Sequence, residues 1–351
     1  MAKMSAVVTA YREPEFLFEI VEDLAKRGYE VVVSADCLSE EDVRRVRELG
    51  VKATLSDVRR GKWKALNDAL ELVTGDYVLF VDSDTRLIDI PNPSSDVVEL
   101  TKEVRGRSIV ERLVAVDYLL MNVSARISSK ILGFSMVNGS AFISRSDVVK
   151  RLGFRPKIIE DADFGFRAGF EGYRVAVSGR AVTKAPSTLK EWFRQRERWA
   201  LGGAELFAEF LPKFLRMPRI VLPMLVLYYP AIVGFLLAMF LPDSIAIKLL
   251  YFLLPLLLSL PVKAVAIFML LVFEFHLLRN ILAMVVSFVL WVMFVALVAR
   301  KYGFRLDTGI LPVYYFLYSP LWTMVNVAML FRYLILRLVG KEVSAEGWKV
   351  G

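Results

Sequence analysis

The sequence predicts an α/β domain, a sheet with helices on both faces, followed by a membrane-embedded helical region. Three features carry that prediction. Strand-like and helix-like segments alternate through the first ninety residues, and uncharged runs long enough to cross a bilayer fill the C-terminal part. Charge is balanced in the first part and basic in the second.

Residues 4–10 form an apolar run that reads as a buried strand, and Phe16, Ile20, Val21 and Leu24 recur at helical spacing over 15–26. Residues 29–34 read as a second strand, 40–49 as a helix and 51–55 as a third strand. A glycine turn at Gly61 opens a helix over 62–73, and 77–81 is a fourth strand. Strands alternating with helices of this length imply a parallel sheet covered on both faces. Ligands of such sheets bind beyond the carboxyl ends of the strands, which here carry Tyr11, Glu13, Asp36, Asp82 and Asp84. Farther on, 91–95 is a Pro- and Ser-rich loop and 107–131 an amphipathic helix. Residues 136–144 read as a strand with Asn138-Gly139-Ser140 inside it, 161–170 as a short helix and 173–177 as another strand. Residues 189–210 read as a pair of helices whose bases and tryptophans suit a membrane interface.

The apolar share of 56% and the mean hydropathy of +0.48 exceed those of an ordinary soluble protein. Residues 220–242, 280–299 and 308–331 carry no charge, and each can cross a hydrocarbon core that needs about 20 helical residues. The run 249–273, apolar except for Lys263, is either one tilted span or two pieces broken near Pro261. The net charge of +8 lies wholly after residue 210, where 13 basic residues face 5 acidic ones around the apolar runs. That distribution is the positive-inside pattern and excludes a nucleic-acid partner. With no signal sequence at the start and a single cysteine, Cys37, the first part is expected in the cytoplasm and the whole chain in the cell membrane. The expected division is a catalytic domain over 1–185, interfacial helices over 186–217, about four spans over 218–340, and a cytoplasmic tail over 341–351. Five spans are the alternative.

Three short motifs point to chemistry. Asp82-Ser83-Asp84 ends a strand, where carboxylates spaced i, i+2 can share Mg²⁺ or Mn²⁺ with a diphosphate; alone, such a triplet is equally a polar turn. Glu160-Asp161 begins a helix and offers a general base, or else simply a helix cap. Gln195-Arg196-Glu197-Arg198-Trp199 contains the only glutamine of the chain. It supplies a guanidinium for phosphate and an indole for a sugar face, or else the ordinary dress of an interfacial helix. Lys62, at a helix start, can meet an anion. His276, the only histidine, has no partner for a metal site.

Taken in order, these motifs make residues 4–210 resemble family 2 glycosyltransferases of the GT-A fold, in particular the membrane-integrated branch that includes cellulose, chitin and hyaluronan synthases and ceramide glucosyltransferase. The run from Val7 to Glu13 is similar to the family's first strand and its nucleotide-contacting turn. Gly61-Lys62 with Ala65-Leu66-Asn67 is similar to the GKxxALN segment near the diphosphate. Asn138-Gly139-Ser140-Ala141-Phe142 resembles the strand lining the acceptor site. The resemblance implies a Rossmann-like mixed sheet with an inverting, metal-dependent transferase site. In it Asp161 is the catalytic base, and Asp82 and Asp84 hold Mg²⁺ or Mn²⁺. The donor, a UDP-linked sugar, meets Ala10, Tyr11, Glu13, Asp36, Lys62, Asp82, Asp84, Gln195, Arg198 and Trp199. Gly139, Ser140, Glu160 and Trp199 face the acceptor, a membrane lipid or a growing polysaccharide. The family's acidic-Gly-Ser turn is replaced here by Ser34-Ala35-Asp36-Cys37-Leu38-Ser39, and Ile159 replaces a frequent Thr. Two rival readings are a polyprenyl-phosphate glycosyltransferase, against which the QxxRW motif argues, and a transporter or channel with a nucleotide-sensing domain.

Overall fold

The computed structural model describes residues 2–12, 14–133, 135–216 and 237–340. Glu13, the first apolar run up to residue 236 and the tail 341–351 lie outside the described residues. The chain divides into two compact units, Met1–Leu215 with Val325–Gly351, and Arg216–Met324.

The first unit is built on an eight-stranded sheet. Its strands are β1 (Met4–Tyr11), β2 (Glu30–Asp36), β3 (Lys52–Ser56), β4 (Tyr77–Asp82), β5 (Thr85–Asp89), β6 (Val97–Val104), β7 (Ala141–Arg145) and β8 (Val175–Thr183), in the order β3-β2-β1-β4-β7-β6-β8-β5. Helices α1 (Leu17–Lys26), α2 (Glu40–Glu48) and α3 (Lys62–Leu70) connect the first four strands, which are all parallel as expected. Beyond β4 the parallel arrangement ends. β7 runs antiparallel to both β4 and β6, and β8 is antiparallel to β5. The sheet is mixed, as the family resemblance implies.

The reversal of β7 matters for the site. Ala141 pairs with Val81, so the residues just before Ala141 sit at the carboxyl edge of β4. Asn138-Gly139-Ser140 therefore form a turn that precedes the strand, and the strand expected over 136–144 begins only at Ala141. Strands β5 and β6 and the short helix α5 (Ser146–Leu152) have no counterpart in the sequence reading.

Helix α4 (Ile109–Leu132) starts with a complete capping box of Ser108 and Glu111 and ends on Gly133 in the left-handed region. Helix α6 (Glu160–Phe170) is tied to the sheet by Phe164, whose ring lies 5.8 Å from Phe142, itself stacked on Phe80 at 4.6 Å. The expected helix pair over 189–210 is one continuous helix, α7 (Leu189–Phe214), capped by Thr188 and Glu191. Phe210 and Phe214 of α7 pack on Phe166 and Phe170 of α6.

The second unit contains α8 (Asp243–Leu257), α9 (Val262–Glu274) and α10 (Leu277–Tyr302). The apolar run around Pro261 is thus two pieces broken at that proline, whose missing N–H and fixed φ disfavour a continuous helix. A single turn of π-helix, Tyr314–Tyr318, leads into α11 (Ser319–Leu338), and Trp291 of α10 stacks on Tyr314. Residues Leu277–Tyr302 and Thr308–Leu338 are long and apolar enough to cross a membrane.

One side chain inside the GKxxALN segment has a purely architectural job. Asn67 Nδ2 donates to the Phe154 carbonyl at 2.8 Å, and the Phe154 N–H donates back to Asn67 Oδ1 at 2.9 Å. Asn67→Ala would orphan both buried groups, each costing about 1–3 kcal/mol. The melting temperature of the full chain in detergent should drop by roughly 5–10 °C; an unchanged transition would refute this role.

Candidate active site

Parallel pairing sets Tyr11 beside Asp36 and Thr9 beside Asp82, so the ends of β1, β2 and β4 form one edge. Asp82 is anchored on both sides: its N–H donates to the Ser140 carbonyl at 3.1 Å, and the Ser83 N–H donates to Thr9 at 2.9 Å. The Asp82 carboxylate accepts from Thr9 Oγ1 at 2.6 Å and from Lys62 Nζ at 2.7 Å. Lys62 also lies 3.8 Å from Glu160. Burial alone would lower the Lys62 pKa, but the carboxylates of Asp82, Glu160 and Asp161 outweigh it and raise it above the ordinary lysine value.

Asp84 accepts from Thr85 Oγ1 at 3.0 Å. Burial, reinforced by the charge on Asp82, pushes the Asp84 carboxyl up to about 6. Glu160, first in α6, is pushed up to about 7 by burial and then by the neighbouring Asp161. Asp161 is held by two amides: the Ala162 N–H donates to Oδ1 at 2.8 Å, and the Gly139 N–H donates to Oδ2. A Cβ on residue 139 would stand 2.7 Å from that Oδ2, so glycine is needed for the approach. The cap position of α6 is Ile159, so the helix-cap reading of Glu160-Asp161 accounts for only one of these contacts.

Whether these residues suit a divalent cation follows from the donor set. Among the described residues no group of three or more His, Cys, Asp or Glu side chains could enclose a metal. Asp82 and Asp84 nevertheless repel one another, which a dication would relieve. Two carboxylates, with diphosphate oxygens and water, meet the ligand preference of Mg²⁺ or Mn²⁺. The residues fit, provided that the Lys62 ammonium gives way at Asp82.

At the ends of β1 and β2, Asp36 accepts from the Arg60 N–H at 2.7 Å and from Arg60 Nε at 2.8 Å. The Tyr11 ring is flanked by the guanidinium groups of Arg12 and Arg59, at 5.1 and 5.0 Å from its centroid. Ala10 is half-buried beside them on β1.

Within α7 the QxxRW side chains divide. The Gln195 side-chain oxygen is buried with no hydrogen-bond partner among the described residues. Arg198 acts electrostatically on Glu160, lowering its pKa against the burial that raises it. Trp199 lies edge-on to Tyr118 and under the Arg196 guanidinium, 4.5 Å from its ring. Arg196 itself is 2% exposed and pairs with Asp117 of α4 at 2.7 Å. The sequence reading assigned no role to Arg196, Asp117 or the buried pair Glu99 and Lys102. For Glu99 a signal existed, since it stands between apolar neighbours in Val97-Val98-Glu99-Leu100; for Lys102, within Thr101-Lys102-Glu103, there was none.

Comparison with known proteins bears on this geometry. Residues 5–89 match the model of glycosyl transferase family 2, and residues 96–336 match that of glycosyl transferase family group 2. Poly-beta-1,6-N-acetyl-D-glucosamine synthase of Staphylococcus epidermidis is 23% identical over 233 residues, covering 60% of this chain and 57% of that protein. The Staphylococcus aureus protein of the same name is 25% identical over 193 residues, 50% of this chain and 46% of that one. The chain therefore spans about half the length of the curated relatives it matches. Among solved structures, the mannosyltransferase PcManGT from Pyrobaculum calidifontis, in complex with GDP-Man and Mn²⁺, superposes with a TM-score of 0.54. The match has 18% identity and covers 97% of this chain and 88% of that one, and it shows a shared GT-A fold. With a family match running through more than half of its length, this chain belongs to the family 2 glycosyltransferases.

Proposed function

We propose that the chain transfers a sugar, with inversion, from a nucleotide-sugar to a hydroxyl of a membrane lipid or growing polysaccharide. The observation that carries this reading is Asp161, a carboxylate fixed by two amides beside the Asp82–Lys62–Glu160 cluster. Asp161 takes the proton of the acceptor hydroxyl as its oxygen bonds to the anomeric carbon. The bond from that carbon to the diphosphate breaks on the opposite face, and the diphosphate leaves with the electron pair. Lys62 and Arg198 stabilise the leaving charge, with Gln195 and Trp199 shaping the sugar end of the site. Asp82 and Asp84 would hold Mg²⁺ or Mn²⁺, which neutralises diphosphate charge. Tyr11 and Asp36 receive the nucleoside, and Gly139, Ser140 and Glu160 border the acceptor. A relative named for a β-linked polymer agrees with inversion at an α-linked UDP-sugar. The complex of PcManGT with GDP-Man makes GDP-sugars the necessary second arm of any donor panel.

The apolar helices support a place in the membrane, and the cytoplasmic side for the first unit is part of the proposal. Most residues of the two long apolar helices are not buried, unlike those of the core helices of a soluble protein. We favour four spans, in which the broken pair α8 and α9 supplies one crossing or lies partly in the interface.

Three outcomes test this reading. The detergent-purified chain, given Mn²⁺ or Mg²⁺ and lipid extract, should release nucleoside diphosphate from one UDP- or GDP-sugar. Asp161→Asn should cut that release by about 10²–10⁴-fold while UDP or GDP binding stays; retained turnover removes Asp161 as the base. Second, the raised Asp84 carboxyl is protonated below about pH 6 and then competes with the cation. Apparent Mn²⁺ affinity should weaken by up to about tenfold per pH unit below that value, whereas a flat profile from pH 7 to 5 would count against Asp84 as a ligand. Third, a cysteine at Thr308 in a Cys37→Ala background should react with an impermeant maleimide from outside intact cells. Labelling only after lysis would favour five spans.

A further inference from the structure

Strand β6 buries two opposite charges beneath the acceptor-side turn. Glu99 is 4% and Lys102 1% exposed, and their carboxylate and ammonium are in direct contact. Burying such a pair costs several kcal/mol per ion, and an apolar pair of similar volume is often as stable or more so. Burial pushes the Glu99 carboxyl up to about 7 and the Lys102 ammonium down, against the attraction between them. The pair does one thing that apolar side chains cannot. Lys102 Nζ donates to the Asn138 carbonyl at 3.0 Å, and the Asn138 N–H donates to Glu99 Oε2 at 3.0 Å. Both main-chain groups of Asn138 are thereby fixed by side chains. The strand that carries the pair is locked in turn, because Asn122 of α4 bonds both the N–H and the carbonyl of Lys102, at 3.0 and 2.8 Å.

From Asn138 the order passes directly to Asp161. Asn138 Oδ1 accepts from the Ser140 N–H at 3.1 Å and from Ser140 Oγ at 2.9 Å, closing the turn. Between Asn138 and Ser140 the Gly139 N–H is left aimed at Asp161 Oδ2, at an approach that tolerates no Cβ. We propose that Glu99 and Lys102 are positioning residues that set the Asn138–Ser140 turn and, through Gly139, the orientation of Asp161. The inference rests on the reading of Asp161 as the base.

The test uses the full chain in detergent with the donor found active for the parent, and the corresponding nucleoside diphosphate with Mn²⁺ as binding probe. The double variant Glu99→Gln/Lys102→Met keeps the buried site neutral and retains an acceptor for the Asn138 N–H while losing the donor to its carbonyl. It should show nucleotide affinity and donor KM within about threefold of the parent, and a kcat lower by about tenfold or more, as expected for misplacement of a general base. A kcat within about threefold of the parent overturns the proposal, as does a parallel fall of kcat and nucleotide affinity, which marks a merely structural pair. If the double variant lacks the parent's thermal transition, Glu99→Asp takes its place under the same criteria, since it keeps the charge and withdraws the carboxylate from Asn138. A parent that releases no nucleoside diphosphate refutes the base reading and the inference together; an active parent matched by its variant refutes the inference alone.

Discussion

The first unit is organised around mutual repulsion among carboxylates. Asp82, Asp84, Glu160 and Asp161 come from two places in the chain and meet near one ammonium, Lys62. Such a concentration of negative charge is unfavourable in a folded protein unless something of opposite charge is present or due to arrive. Each supporting feature limits that cost. Glu160 and Asp161 occupy the first turn of α6, where the helix dipole favours anions. Asp161 accepts two main-chain N–H groups, and Asp82 accepts a threonine hydroxyl and the ammonium. Lys62 takes the part of a resident cation in this arrangement, and a nucleotide diphosphate with its own counter-ion would replace one balanced set of charges with another.

The sheet explains why carboxylates so distant in sequence can meet. Parallel β1, β2 and β4 deliver their carboxyl ends to one edge, and antiparallel β7 delivers its beginning to the same edge. A fully parallel sheet would have carried the Asn138–Ser140 turn to the opposite end. Helix α6 then completes the site because α7 presses on the segment before it: a Cβ on Gly202 would come within 3.0 Å of Ile159.

How far this could be read in advance depended on whether neighbours in sequence were also neighbours in space. Of the four parallel strands, β1, β2 and β4 were legible because burial on both faces makes each a short apolar run, whereas β3 lies at the sheet edge with no fully buried residue. β5 was not: it pairs only with β8, at the edge of the sheet, and its Arg86 and Asp89 are exposed. β6 was hidden by the very charges that give it significance. β7 was placed too early because Met136-Val137 and Ala141-Phe142-Ile143 make a nearly continuous apolar run across a turn. In the site, residue types announced Asp82, Asp84, Glu160 and Asp161. Their supports did not announce themselves, since Arg60 reaches Asp36 across two elements and Glu99 meets Asn138 from a strand that hydrophobic patterning does not reveal.

The spacing of the QxxRW motif follows from the same geometry. Positions i, i+3 and i+4 of a helix share a face, so Gln195, Arg198 and Trp199 can address one site. The two intervening residues flank that face, and α7 uses both. Arg196 is buried against Asp117 of α4, which fixes the rotation of α7 about its axis and lays a guanidinium over the Trp199 ring. Glu197 meets Arg332 of α11 at 2.5 Å, in the part of that helix that belongs to the first unit. An apolar residue at either position would leave the motif face unchanged in composition and unspecified in direction. The charged residues between the motif letters thus decide where Gln195, Arg198 and Trp199 point, and a helix with the motif alone would possess the groups without their aim.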